Sequence, residues 1–332
     1  MKIQYYLFIC AFSLACESSQ ESGQVRERTP VTSGEQGKSD SGSNGNTDSE
    51  TEKETETDGN SSSGTKEEEK NPALSASGSI DEEFRVPSGP TGYVSRTVTY
   101  GQGAGGALKG FYMRPSSAKS GGAGLIAIHG LQGLNEDFKR NLMRYVARGY
   151  KILAIDLYEG KLPGEDGSAD NLYENIQSRG KTDIFANITS GVDYLAEELG
   201  VRSLGVVGWG EGGYWAIETM ISFPSSFAAL VNYEGSPFEL SRDASNIPIP
   251  TFHVFSGEVD SAGEDSPETL EKLELEASLN EKTAKKIDFR FYKDVELGFL
   301  APSNKASEDE KDLIHKVYDH SFSYLDKYLK QQ

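Results

Sequence analysis

The stretch Gly205-Val-Val-Gly-Trp-Gly-Glu-Gly-Gly-Tyr-Trp215 constrains this chain more than any other. A short apolar strand runs into a glycine-rich corner, and residues that suit a helix follow without a break. A buried strand that turns straight into a helix is a building unit of α/β folds. The spacing Gly208-x-Gly210-x-Gly212 matches a Gly-x-Nu-x-Gly elbow, whose sharp bend leaves the central side chain free. Here the central residue is Gly210, so the corner is kept and the attacking atom is missing.

The surrounding sequence repeats the same alternation. Leu125 to His129 reads as a short buried strand, and Asn135 can cap a helix that carries Phe138, Leu142 and Val146 and stops at Gly149. The stretch Tyr150 to Tyr158 is the next strand. Ile184, Ile188, Val192 and Leu195 make a second amphipathic face, closed by Gly200. Strand-like stretches follow at Phe227–Tyr233, Pro250–Gly257 and Asp288–Asp294, and Ser307 with Glu310 spells a capping box for a last helix burying Leu313, Val317 and Leu325. Near-continuous apolar strands between helices predict a mostly parallel sheet covered on both faces. Gly101-Gln-Gly-Ala-Gly-Gly106 spells the dinucleotide pattern G-x-G-x-x-G, but it lies between two strand-like stretches and reads as a hairpin turn. The acidic run from Glu264 to Glu276 reads as a solvated excursion.

Ahead of this domain, assigned to residues 91–332, the chain has two other parts. Residues 1–15 contain Lys2 and an uncharged run from Ile3 to Ala15, too short to span a bilayer and patterned as a signal peptide. Ser13-Leu-Ala-Cys16 resembles a bacterial lipobox, with Ser13 where Leu is usual, so Cys16 is the expected lipidation site and new N-terminus of an exported protein. An ordinary cleaved signal is the alternative. Residues 16–90 are rich in Ser, Gly, Thr, Glu and Asn, with no aromatic residue before Phe84, and are expected to form a disordered tether.

Charge and cysteine content narrow the chemistry. The net charge is −19. Residues 17–90 carry 17 Asp/Glu against 7 Lys/Arg, and residues 91–332 carry 35 against 25, so each part is near −10. Both repel polyanions, and nucleic acid is not an expected partner. Membrane association is expected only through lipid on Cys16. The one other cysteine, Cys10, leaves with the signal, so no disulfide, cysteine nucleophile or Cys-ligated zinc is expected in the domain. No His/Asp/Glu spacing resembles a metal site, and no cofactor is expected.

Four ordered segments carry a family likeness: Ile126–Gly160, Val206–Ala216, Ile249–Asp260 and Phe291–Phe299. With them the domain resembles the dienelactone hydrolase family of the α/β-hydrolase fold over roughly residues 108 to 328. The resemblance implies ester or lactone hydrolysis through a Cys–His–Asp triad, in which His activates the nucleophile and Asp orients His. Carried over position by position, the acid falls on Asp260 in Gly257-Glu-Val-Asp260, the nucleophile on Gly210 and the histidine on Leu297. Gly130 stands where the family has a glutamate after the first strand's His129.

Glycine supplies no attacking atom, and leucine accepts no proton at any pH. The expected reading is therefore a dienelactone-hydrolase-like domain without triad catalysis, with Asp260 left without an imidazole to orient. Backbone N–H groups of Glu211 and of the Gly130–Leu131 loop would still converge on a site for a small carbonyl compound or anion, unless the Glu211 carboxylate fills it. His129, Trp209 and Tyr214 are the expected lining of any cavity above Gly210, with packing as the alternative role for His129. His253 is expected to point into packing, and His315 and His320 to lie too late in the chain to reach the site. Two further readings stay open: the fold persists as a scaffold, or an active hydrolase uses unrecognised groups, with Glu211 as an acidic nucleophile.

Overall fold

The structure is a computed structural model that describes residues 75–235, 249–257, 287–293, 295–302 and 306–330, with a few positions between 269 and 281. Its centre is a sheet of nine strands: β1 Ser75–Ser79, β2 Gly92–Gly103, β3 Gly106–Pro115, β4 Ala123–Ile128, β5 Lys151–Ile155, β6 Ser203–Trp209, β7 Ala229–Tyr233, β8 Thr251–Gly257 and β9 Ile287–Lys293. They run in the order β1-β2-β3-β5-β4-β6-β7-β8-β9. The first three strands and the β3–β5 pair are antiparallel, and all pairs from β5 to β9 are parallel. The expected α/β-hydrolase sheet is thus present.

Both faces of the sheet are buried, which explains why its central strands are almost continuously apolar. Along β4, Ile126 and Ile128 belong to one core, whereas Leu125 and Ala127 belong to the other. Helices α3 Ala169–Arg179, α4 Lys181–Asp193 and α5 Glu211–Ser222 contribute to the first core through Leu172, Ile188 and Ile217. Helices α1 Glu136–Asn141, α2 Met143–Ala147 and α6 Glu308–Leu329 cover the other through Phe138, Val146 and Leu325.

Local chemistry sets the helix starts. The Asn135 side chain accepts from Phe138 N–H at 2.8 Å. Ser307 and Glu310 form the reciprocal capping box, with bonds of 3.3 and 2.7 Å. Ser168 caps α3 by accepting from Asn171 N–H at 3.1 Å; this helix was not expected from periodicity, although Leu172 and Ile176 are its buried side. The G-x-G-x-x-G stretch is the β2–β3 hairpin and opens no helix.

The domain begins earlier than residue 91. Ser75–Ser79 pairs with Arg96–Gly92 of β2, Ile80 is buried, and Phe84 follows in a short 3-10 turn with its ring buried. The tether boundary at residue 90 is corrected accordingly. Two well-spaced apolar residues in a polar segment gave no periodicity to read, yet each has a core to fill. Residues 1–74, Asp260 and most of the Glu264–Glu276 run lie outside the described residues. Among the described residues no helix is long and apolar enough to cross a membrane.

Candidate functional site

Strand β4 lies between β5 and β6, so the chain leaves β4 toward one side and later returns on the other. In parallel sheets such a reversal opens a crevice beyond the strands' carboxyl ends. His129-Gly-Leu131 follows β4 there, and the Gly210 corner follows β6.

The flanking glycines of the corner are required by packing. A Cβ on Gly212 would lie 2.5 Å from the His129 carbonyl oxygen and closer still to that of Ile128. One on Gly208 would lie 2.6 Å from the Gly213 nitrogen. Helix α5 is therefore seated backbone to backbone against β4 and β6, an approach no larger residue permits. The corner persists for this reason, whatever stands at its centre.

Gly210 is different. Its φ of 52° and ψ of −120° put it in a conformation that L side chains rarely adopt, the strained elbow geometry expected from the sequence. A Cβ built there meets nothing within 4 Å. Space thus stands open above the elbow, and only backbone strain opposes a side chain. Gly210→Ser is expected to fold with a loss of about 1–3 kcal/mol, read from denaturant midpoints. A larger loss would mean that neighbours hem the position in.

The two backbone donors face a group already in place. The N–H groups of Glu211 and Leu131 both favour the charged form of the Glu211 carboxylate, and Oε2 lies 3.6 Å from where a Gly130 Cβ would be. Burial is the larger influence and raises the carboxyl's pKa above the ordinary value, with Asp170 adding to the rise. Tyr158 and Tyr173 have pKa values raised first by burial and then by the Glu211 charge, so both rings stand near it. Tyr158 also donates its hydroxyl to Leu131 O at 3.1 Å, fixing the loop that carries the second donor. The donor set is thus occupied by a carboxylate of the chain itself, beside which a second negative charge is disfavoured.

His129 packs and braces rather than facing the open space. It is buried, 4.7 Å from the Tyr158 ring and 6.3 Å from that of Phe138. Its Nε2 accepts from Leu157 N–H at 3.1 Å, which leaves Nδ1 to donate to Gly130 O at 2.8 Å. With both nitrogens committed and its pKa lowered by burial, against the opposing pull of Asp156, it is a neutral bridge between two strand ends.

Trp209 and Tyr214 do not line one cavity, which corrects that expectation. Trp209 is only 3% exposed, with its ring 5.1 Å from Phe138 and 5.1 Å from Tyr233 in the core under α6. Tyr214 is partly buried, 5.1 Å from Trp215, against the core on the opposite face. Side chains one residue before and four after the corner leave toward opposite faces of the sheet.

Leu297 is 38% exposed, in a turn ahead of Phe299. The next residue, Gly298, donates its N–H to Glu234 Oε1 at 3.0 Å, and Ser256 Oγ donates to the same oxygen at 2.9 Å. Glu234 follows β7 with a φ of 62°, rare for a residue with a side chain. It ties the turn at the expected histidine position to the ends of β7 and β8. Sequence reasoning missed it, because a lone glutamate after a strand carries no pattern. Among the described residues no three His, Cys, Asp or Glu side chains gather as metal ligands.

Sheet order, elbow and the loop after β4 define the class: an α/β-hydrolase. The dienelactone hydrolase family model matches residues 108–329. A carboxymethylenebutenolidase homolog of Xenopus tropicalis is 26% identical over 229 residues, covering 67% of this chain and 88% of that protein. Among solved structures, a Klebsiella pneumoniae protein assigned to the dienelactone hydrolases shares 16% identity with a TM-score of 0.55, covering 72% of this chain and 99% of its own. A dienelactone hydrolase-like promiscuous phosphotriesterase from metagenomic libraries shares 17% with a TM-score of 0.56, covering 70% and 98%. This chain belongs to the dienelactone hydrolase family.

Proposed function

We propose that this family member has given up triad hydrolysis and that its domain serves ligand binding or interaction instead. The observation that carries this reading is the pairing of Gly210, which has no nucleophile, with a Glu211 carboxylate on the donors that would stabilise an oxyanion. Leu297 in place of a proton acceptor supports it.

The test is turnover of activated esters and enol-lactones by the purified chain. The expected rate does not exceed the roughly 10³–10⁴-fold acceleration over water that disabled triads retain. A higher rate that is lost in Glu211→Gln would establish the alternative, an active hydrolase built on non-standard residues. Gly210→Cys alone is expected to stay inactive, whereas Gly210→Cys with Leu297→His supplies both missing groups. Strong hydrolysis from the single change would show that a base exists elsewhere.

We also propose an exported, lipid-anchored location, read from Ser13-Leu-Ala-Cys16 and the acidic segment behind it. Lipid on Cys16 would hold the domain at a bacterial membrane on the periplasmic side or cell surface. Cys16→Ser is expected to abolish labelling by a radioactive fatty acid and to move the protein from the membrane to the soluble fraction. Unchanged fractionation without labelling would support an ordinary cleaved signal.

A further inference from the structure

A cavity of about 340 Å³ lies away from the elbow, between the Phe84 turn, helices α1 and α2, and helix α6. Its volume is within the range of small-molecule clefts. Phe299, Leu300 and Ile314 supply apolar surface, and all three are largely buried.

Arg144 gives this cavity its chemistry. The guanidinium lies 4.4 Å from the Phe84 ring centre and 4.8 Å from that of Tyr318, held between two aromatic faces. Its Nε donates to Asn141 Oδ1 at 2.9 Å, and Asn141 Nδ2 donates to the Tyr318 hydroxyl at 3.0 Å. Orientation is thus fixed while both Nη groups have no hydrogen bond among the described residues. No carboxylate among those residues forms an ion pair with Arg144, in a chain of net charge −19.

The other charges around the cavity are mostly spoken for. Arg140 pairs with Asp81 and Glu83. Lys311 pairs with Glu308 at 2.6 Å. Asp137 lies on the lining, and the exposed His315 faces from α6. A planar cation whose Nη edge has no partner among the described residues, beside apolar rings, fits a planar anion attached to an apolar body.

We propose that this cavity is a binding site for a small carboxylate with an aromatic or compact apolar body, its carboxylate on the Nη edge of Arg144 and its body against Phe84 and Phe299. The site is also wired to the elbow strand. Trp209 Nε1 donates to the same Tyr318 hydroxyl that receives Asn141, at 3.2 Å. An occupant that pulls on Arg144 therefore changes the environment of the Trp209 indole N–H.

The test uses the full chain, labelled with ¹⁵N and titrated with benzoate, its uncharged counterpart benzyl alcohol serving as control. The chain has two tryptophans, so the Trp209 indole signal is assigned by comparison with Trp215→Phe. Benzoate is expected to shift that signal saturably, and benzyl alcohol to leave it in place. Arg144→Gln should weaken benzoate binding about tenfold or more, since a charged hydrogen-bond pair is lost. His315→Glu, at an exposed position that does not bear on folding, should weaken it too by setting a negative charge opposite the ligand. The proposal is overturned if benzoate gives no saturable shift, if benzyl alcohol shifts the signal equally, or if His315→Glu binds benzoate as the parent does.

Discussion

Gly212→Ala is expected to destabilise the domain by at least ~3 kcal/mol, or to prevent its folding, although alanine is the better helix former. Gly212 lies inside α5, where intrinsic propensity alone would make the change favourable by about 1 kcal/mol. The added methyl would however sit 2.5 Å from the His129 carbonyl oxygen and nearer that of Ile128. Those atoms belong to the end of β4 and cannot yield without breaking the parallel β4–β6 pairing. Either α5 lifts off the sheet, losing the burial of Ala216, Ile217 and Met220, or the strand end moves. Equilibrium denaturation of the variant beside Gly210→Ser separates the two glycine roles. A Gly212→Ala midpoint at or above the parent's would overturn the claim that close packing is what preserves the corner.

The second large effect is an acid-side loss of stability arising from His253. This ring is buried on β8, 4.9 Å from Phe289 and nearly parallel to it, and Asn232 Nδ2 donates to its Nδ1 at 3.1 Å. Nδ1 is therefore an acceptor, and a second proton there would oppose Asn232. Burial lowers the pKa from 6.5 to about 3, with no carboxylate among the described residues to offset it. Between those values the unfolded chain binds a proton that the folded chain refuses. Stability is then fully present above about pH 6.5 and falls by about 1.4 kcal/mol per pH unit below it. The expected drop from this group between pH 7 and pH 4 is roughly 3 kcal/mol. His129, buried and lowered in the same direction but opposed by Asp156, adds to the slope. His253→Gln can still accept from Asn232 and cannot titrate, so its stability profile should be flatter over this range by that amount. Identical profiles for parent and variant would sink the assignment.

Both effects concern the framework of the elbow, and together they account for the retained corner. Gly208 and Gly212 are held by backbone contacts, and Asn232, which donates to His253, also donates to Gly235 O at 2.7 Å and accepts from Gly235 N–H at 2.9 Å just beyond β7. Altering these residues endangers the fold. Gly210 has no such neighbours, so packing leaves its identity free, and glycine relieves the strain of its backbone conformation. Glu211 makes an internal contact with the donor set beside it.

Much of the architecture follows from features that are local along the chain. Strand runs such as Leu125 to Ile128, the caps at Asn135 and Ser307, and the Gly208–Gly212 spacing each involve residues a few positions apart, where backbone geometry links pattern directly to structure. The glycine at the expected nucleophile position, Gly210, and the leucine at the expected histidine position, Leu297, are legible in the same way, because the identity of a residue settles what chemistry it can offer. Other features depend on which distant side chains meet. Glu211 reaches Leu131, Glu234 reaches Gly298, Trp209 turns under α6 and not over the elbow, and Ile80 with Phe84 finds a core that the composition around them conceals. No period or spacing encodes those meetings, since each is fixed by sheet order and by which face of a strand is already filled.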